Sequence, residues 1–175
     1  MKIVKLSAAQ FDKFASTHRY RNYFQTSMYA NVMIKFGYRA QFLGMVSDEN
    51  KLIGATLIIY KEVFMGNKIA YAPRGILFDY DDADNVKEMT LKLKKVLGKQ
   101  GFMLLRIDPY IPLTIRNSEG NIMNVNNKGN NIISSLKQAG FSYKGKTLKI
   151  WRAEVIDKEY AGAFGQIVDK TKKAI

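Results

Sequence analysis

The sequence predicts an α/β (α+β) chain built on one sheet with helices on both sides. Three observations carry this. Segments of helical and strand-like spacing follow one another as helix, helix, hairpin strands, strand, helix, strand, helix, strand. A short apolar run, Phe102 to Leu105 plus Ile107, is bounded by Gly101 and Pro109, and its length suits a strand buried on both faces. The chain has 175 residues, 47% of them hydrophobic, which is enough for one domain with a real core.

The elements follow in order. Ser7-Ala-Ala-Gln10 has capping-box spacing, and Phe11, Phe14 and Ala15 follow at helical spacing, so a first helix runs from Ala8 to Thr17 with His18 just past its end. There His18 faces the helix dipole or solvent. Thr26 or Ser27 caps a second helix with Tyr29, Val32, Met33 and Phe36 as its apolar face, Lys35 on its last turn and Gly37 as its stop. Aromatics and arginines interleave from Arg19 to Phe42, the composition of a single-stranded nucleic-acid platform or of a helical core. Arg39 to Ser47 and Lys51 to Phe64 form a hairpin around Asp48-Glu-Asn50, and a strand from Ile69 to Ala72 follows the turn Met65-Gly-Asn-Lys68. Pro73 and Gly75 then bracket Arg74. Proline fixes the backbone on one side, glycine lets a ligand approach on the other, and the guanidinium can present a planar fork to carboxylate or phosphate.

Asp79, Asp81, Asp82 and Asp84 lack the glycine and the later glutamate of an EF-hand loop; they cap and complement the next helix, Ala83 to Lys99. Its buried stripe is Val86, Met89, Leu93 and Val96, and its lysines form a solvated face that also steers polyanions. Leu113 to Lys128 is a polar, Asn-rich flap with its tip at Glu119-Gly-Asn121. Asn130 or Asn131 caps a helix that buries Ile132, Ile133 and Leu136 and stops at Gly140. Phe141 to Val155, with Trp151, reads as one or two strands, and Tyr160 to Ile175 as a basic helix cut in its middle, so the natural protein is expected to continue.

Composition narrows the chemistry. A net charge of +13 favours polyanionic partners: nucleic acid, anionic head groups or phosphorylated substrates. With no Cys and one His, zinc sites and Ser/His/Asp or Cys/His machinery are disfavoured. No apolar run suits a signal peptide or a membrane span, and the chain reads as cytoplasmic.

The strand at Phe102 ends where Pro109 removes a donor, leaving the Asp108 carboxylate at its carboxyl end, where ligands bind in sheets of this kind. Arg106 interrupts the apolar run. It either pairs with Asp108 to close the strand or faces a ligand.

In order, these pieces resemble the FemA/FemB/FemX aminoacyltransferases, which build the interpeptide bridge of bacterial peptidoglycan. The resemblance rests on Phe24-Gln-Thr-Ser27 with Lys35, Tyr71-Ala-Pro-Arg-Gly75 with Asp79, Leu105-Arg-Ile-Asp-Pro-Tyr-Ile-Pro112, the flap with Glu119-Gly120, Leu136-Lys-Gln-Ala-Gly-Phe141 and Lys172-Lys-Ala174. It implies a GNAT-like acyltransferase sheet, the first of two such domains. Residues 1–156 would be the precursor-binding half, and 157–175 would begin a basic helix leading to a missing second domain or helical arm. The implied reaction moves an amino acid from aminoacyl-tRNA to the stem-peptide amine of lipid II or UDP-MurNAc-pentapeptide, near the inner membrane face, with neither metal nor coenzyme. The resemblance places Lys35 on the precursor's phosphates and sets Arg74 and Asp108 along the same cleft. A ligand-facing Arg106 joins that binding set. Asp108 is the candidate general base or amine orienter. The chain alone is expected to be inactive.

Two other functions compete. An acetyl-CoA-dependent N-acetyltransferase would need a pyrophosphate loop, and in Arg116-Asn-Ser-Glu-Gly120 the glycine falls one position late. A non-catalytic RNA-binding module would show strongly salt-dependent tRNA binding by this chain alone.

Overall fold

A computed structural model describes residues 1–125 and 127–144. The strands expected in Phe141 to Val155 lie outside them from residue 145 on, as does all of the basic helix from 157 to 175. The chain divides into two compact units, residues 1–111 with 135–141, and residues 112–134 with 142–175.

The first unit holds the larger sheet, and its strands are β1 (Lys2–Lys5), β2 (Arg39–Val46), β3 (Leu52–Glu62), β4 (Lys68–Ala72), β5 (Leu77–Phe78) and β6 (Phe102–Ile107). Their order is β1-β2-β3-β4-β6, with β5 paired to the start of β3. Neighbours are antiparallel except β4 and β6, which run parallel with Tyr71 opposite Arg106 and Ala72 opposite Ile107. That parallel step requires a crossover, and α3 (Ala83–Lys99) lies within it. The hairpin of β2 and β3 turns where Ser47 donates to the Lys51 carbonyl at 2.8 Å.

Helices α1 (Ala8–Thr17) and α2 (Ser27–Lys35) pack on β2 and β3. Their shared core joins Phe11, Ala15 and Ala30 to Ala55, Leu57, Ile59 and Leu77. Both helices start as their sequences require. Ser7 and Gln10 make a reciprocal capping box on α1. The Thr26 hydroxyl accepts the Tyr29 N–H at 3.1 Å on α2. Asp12 of α1 adds a cross-link by accepting both the N–H and the hydroxyl of Ser27. Leu43, Met45 and Ile58 point to the other face of the sheet and are fully buried. There α3 contacts β1 and β6 and buries Val86, Met89, Thr90, Leu93 and Leu97. Leu97 takes the place expected for Val96.

Two expectations are corrected. The run at Phe102 is a strand over the expected residues, but among the described residues β6 is an edge, with Met103 and Leu104 exposed. β1 was not anticipated, because four residues are too few to show a period. In the second unit the flap is a hairpin of β7 (Thr114–Arg116) and β8 (Ile122–Val125), closed where Asn117 donates to the Asn121 carbonyl at 3.0 Å. α4 (Asn127–Gln138) begins before Asn130 and Asn131, which therefore do not cap it. Among the described residues no helix is long and apolar enough to cross a membrane.

Candidate functional site

Because β4 and β6 are parallel neighbours, their carboxyl ends stop side by side. The residues that follow are Pro73-Arg74-Gly75 and Asp108-Pro109. Ligands gather at such strand ends in sheets covered by helices.

The Asp108 carboxylate accepts the Arg74 backbone N–H on Oδ1 and the guanidinium Nη1 on Oδ2, each at 2.6 Å. The pair is buried, with side-chain exposures of 10% for Arg74 and 4% for Asp108. Arg74 has φ +52°, a left-handed conformation that costs a side-chain-bearing residue roughly 1 kcal/mol. The two bonds to one carboxylate offset that cost, since bonds to charged acceptors are the stronger kind. Asn22 Nδ2 donates to the Arg74 carbonyl at 3.2 Å, and the Phe24 ring lies 5.8 Å from the guanidinium carbon.

Gln25 anchors this turn to the sheet. It is wholly buried, accepts the Leu57 N–H at 2.8 Å, and donates to the Pro73 carbonyl at 2.8 Å and the Leu57 carbonyl at 3.3 Å. A Cβ on Gly75 would meet the Gln25 amide and the Thr56 hydroxyl at 2.8–3.0 Å. Glycine is thus required here by the buried amide, whereas the sequence reading reserved that space for a ligand. Beyond it, the buried Tyr80 hydroxyl donates to the Ile76 carbonyl at 2.8 Å and accepts the Ile76 N–H at 3.2 Å. Burial pushes that phenol far up.

Tyr71 and Arg106 complete the cluster. Burial first, and then the charge of Asp108 and a hydrogen bond to it, push the Tyr71 hydroxyl up to about 12. The Arg106 guanidinium lies 5.5 Å over the Tyr71 ring and is exposed. Asp108 has its buried ion pair with Arg74, not with Arg106 as the strand-closing reading had it. Lys35 is exposed at the end of α2 and makes no contact with the pair. The helix links them indirectly: Tyr29 packs on Phe24 at 5.0 Å, and Lys35 stands six residues on, about 9 Å along the axis. Burial and the charges of Tyr23, Tyr38 and Asp108 raise the Tyr29 phenol.

The structure thus brings Arg74, Asp108, Tyr71 and Arg106 together and leaves Lys35 outside their contacts. The acidic run divides: Asp82 caps α3, while Asp79 and Asp81 bind Arg19 at 2.6 and 3.2 Å. His18 is half-buried with Nδ1 accepting the Tyr20 N–H at 3.2 Å, and burial followed by the Arg19 charge lowers it. Sequence reasoning missed Tyr71 and Gln25. A polar Gln25 among Tyr23, Phe24 and Tyr29 was the available signal for one. Tyr71 stood in a segment that carries the resemblance but was given no role, because only the parallel register brings it to Arg106 and Asp108.

Comparison with known proteins bears on the family and the fold. The model of the FemAB family matches residues 6–163. Aminoacyltransferase FemA of Staphylococcus aureus is 29% identical over 146 residues, covering 83% of this chain and 34% of that protein. The chain therefore spans about a third of the length of the curated relatives it matches. A crystal structure of FemX superposes with a TM-score of 0.67 at 20% identity, over 85% of this chain and 33% of that one. An acetyltransferase from Trypanosoma brucei follows at 0.49 and 8%, over 85% of this chain and 97% of that one. The helix-flanked sheet is the fold the sequence predicted, and with its family model matched over nearly its whole length the chain belongs to the FemAB family.

Proposed function

We propose that this chain is the precursor-binding half of an aminoacyltransferase that builds peptidoglycan interpeptide bridges. The amino acid would come from aminoacyl-tRNA, and the acceptor would be the stem-peptide amine of lipid II or UDP-MurNAc-pentapeptide. The observation that carries this reading is the buried Arg74–Asp108 pair at the joint ends of β4 and β6, with cationic Arg106 beside it. Family membership supplies the reaction class.

The chemistry asks little of side chains. The acceptor amine attacks the ester carbonyl, a C–N bond forms, the ester C–O bond breaks, and the tRNA ribose leaves as a hydroxyl carrying a proton. Holding amine and carbonyl about 3–3.5 Å apart supplies roughly 7–11 kcal/mol in well-oriented systems. In this proposal Lys35 and Arg106 hold the precursor's phosphates and carboxylates, while Arg74 and Asp108 shape the cleft floor. With both oxygens engaged by Arg74, Asp108 orients the amine; general-base action would require Arg74 to release one oxygen. The remaining cleft wall and most tRNA contacts would come from a second domain, so this chain alone would bind without turning over.

A calorimetric titration with soluble UDP-MurNAc-pentapeptide tests the reading. Saturable heat is expected, with affinity lowered about tenfold or more in Lys35→Glu at an unchanged unfolding midpoint. Equal affinity in the folded variant would overturn the site.

A further inference from the structure

The connection between α1 and α2 is tied to the Arg74 turn at two successive carbonyls. Gln25 donates to that of Pro73, and Asn22 donates through Nδ2 to that of Arg74 at 3.2 Å. The same Nδ2 donates to the Tyr20 carbonyl at 3.0 Å. Both neighbours are carbonyls, so the amide must present its nitrogen to them. Asp108 already holds the Arg74 N–H. Both backbone polar groups of this left-handed residue are thus clamped.

Tyr20 is in turn held by His18. Its N–H donates to His18 Nδ1 at 3.2 Å, and the imidazole lies 5.4 Å from the Phe14 ring and 5.7 Å from the Tyr20 ring. A ring nitrogen that accepts carries no proton, so His18 is neutral with its proton on Nε2. The charged groups facing it are Arg19 on its own segment and Asp79 just past β5. Arg19 is bound to Asp79 and Asp81 at 2.6 and 3.2 Å. Burial, and then the Arg19 charge, keep the imidazole neutral against the pull of Asp79. Protonation would set two donors, Nδ1–H and the Tyr20 N–H, against each other. The folded chain therefore binds this proton more weakly than the unfolded one. The bond to Tyr20 is complete above the ordinary 6.5 and is lost as pH falls below it.

We infer that Asn22 and His18 are positioning residues: with Tyr20 they form a strap that holds the Arg74 turn, and with it the floor of the proposed precursor site, in shape while His18 is neutral. Its effect on binding rests on the precursor reading, but the strap itself is read without any ligand.

Nuclear magnetic resonance of the full chain tests it, because His18 is the only histidine and its ring signal is unambiguous. Between about pH 8 and pH 5 the Tyr20 and Arg74 amides are expected to shift with the midpoint of the His18 ring. His18→Asn puts a carbonyl oxygen that does not titrate where Nδ1 stood, and is expected to remove both responses while keeping the turn. Asn22→Ala is expected to leave Tyr20 following His18 and to release Arg74. Affinity for UDP-MurNAc-pentapeptide is expected to fall about tenfold over the same range in the parent and to stay level in His18→Asn. An Arg74 amide indifferent to His18, or one that still responds in His18→Asn, would overturn the inference. Equal pH dependence of affinity in those two chains would do the same. No precursor binding at any pH, with Arg74 still following His18 through Asn22, would overturn the precursor reading and uphold the strap.

Discussion

Cutting the Arg74–Asp108 pair from its acidic side leaves a buried guanidinium with no anion. Asp108→Asn is therefore expected to destabilise the fold by about 3 kcal/mol, read as a lower urea midpoint at unchanged m. A change within a few tenths of a kcal/mol would mean that solvent already screens the pair. Gln25→Leu should cost about as much, because it strands the Leu57 N–H and the Pro73 carbonyl. It should also loosen the Arg74 turn, visible as faster amide exchange at Arg74. The Tyr71 phenol gives a pH test. It titrates at its ordinary 10 when unfolded and at about 12 when folded, so the unfolded chain loses its proton first. Its contribution is complete below pH 10 and declines as pH rises from 10 towards 12, and Tyr71→Phe should flatten that part of the stability profile. At this scale the sequence reading found Arg74, Arg106 and Asp108 through proline, glycine and an out-of-place charge. Of its two alternatives for Arg106, the pair with Asp108 fails, because the partner of a buried charge is chosen by register, which residue spacing along one strand does not contain.

At the scale of elements, helices were the most readable feature because their ends carry chemistry. Ser7, Thr26 and Asp82 each cap where their side chains allow, and α1 and α3 begin and end as the spacing predicts. Removing one cap tests this directly: Thr26→Ala should cost about 1 kcal/mol and fray the first turn of α2, measurable by amide exchange at Tyr29. Strands were located by composition, but their neighbours were not. β6 looked central because its residues are apolar, and yet it has one described neighbour, β4. Hydrophobic runs report burial in general, while strand order depends on the crossover through α3. β1 and β5 escaped because two or four residues cannot establish a period.

At the scale of the whole molecule, charge and collinear motifs carried what no single residue could. Lysines recur along α3, and Lys35 and Arg106 are exposed, while acidic groups pair with the N-terminus, Arg19, Arg39 and Arg74 or cap α3. Such a surface attracts anions at long range, and the site proposed at the parallel strand ends would give them a place to settle. The most direct measurement is a residue-resolved map of amide shifts in the labelled chain on titration with UDP-MurNAc-pentapeptide. Saturable shifts clustered at Tyr71, Arg74, Arg106, Asp108 and the last turn of α2 are the expected result. Shifts absent there, or confined to the lysine face of α3, would contradict a precursor site at the ends of β4 and β6.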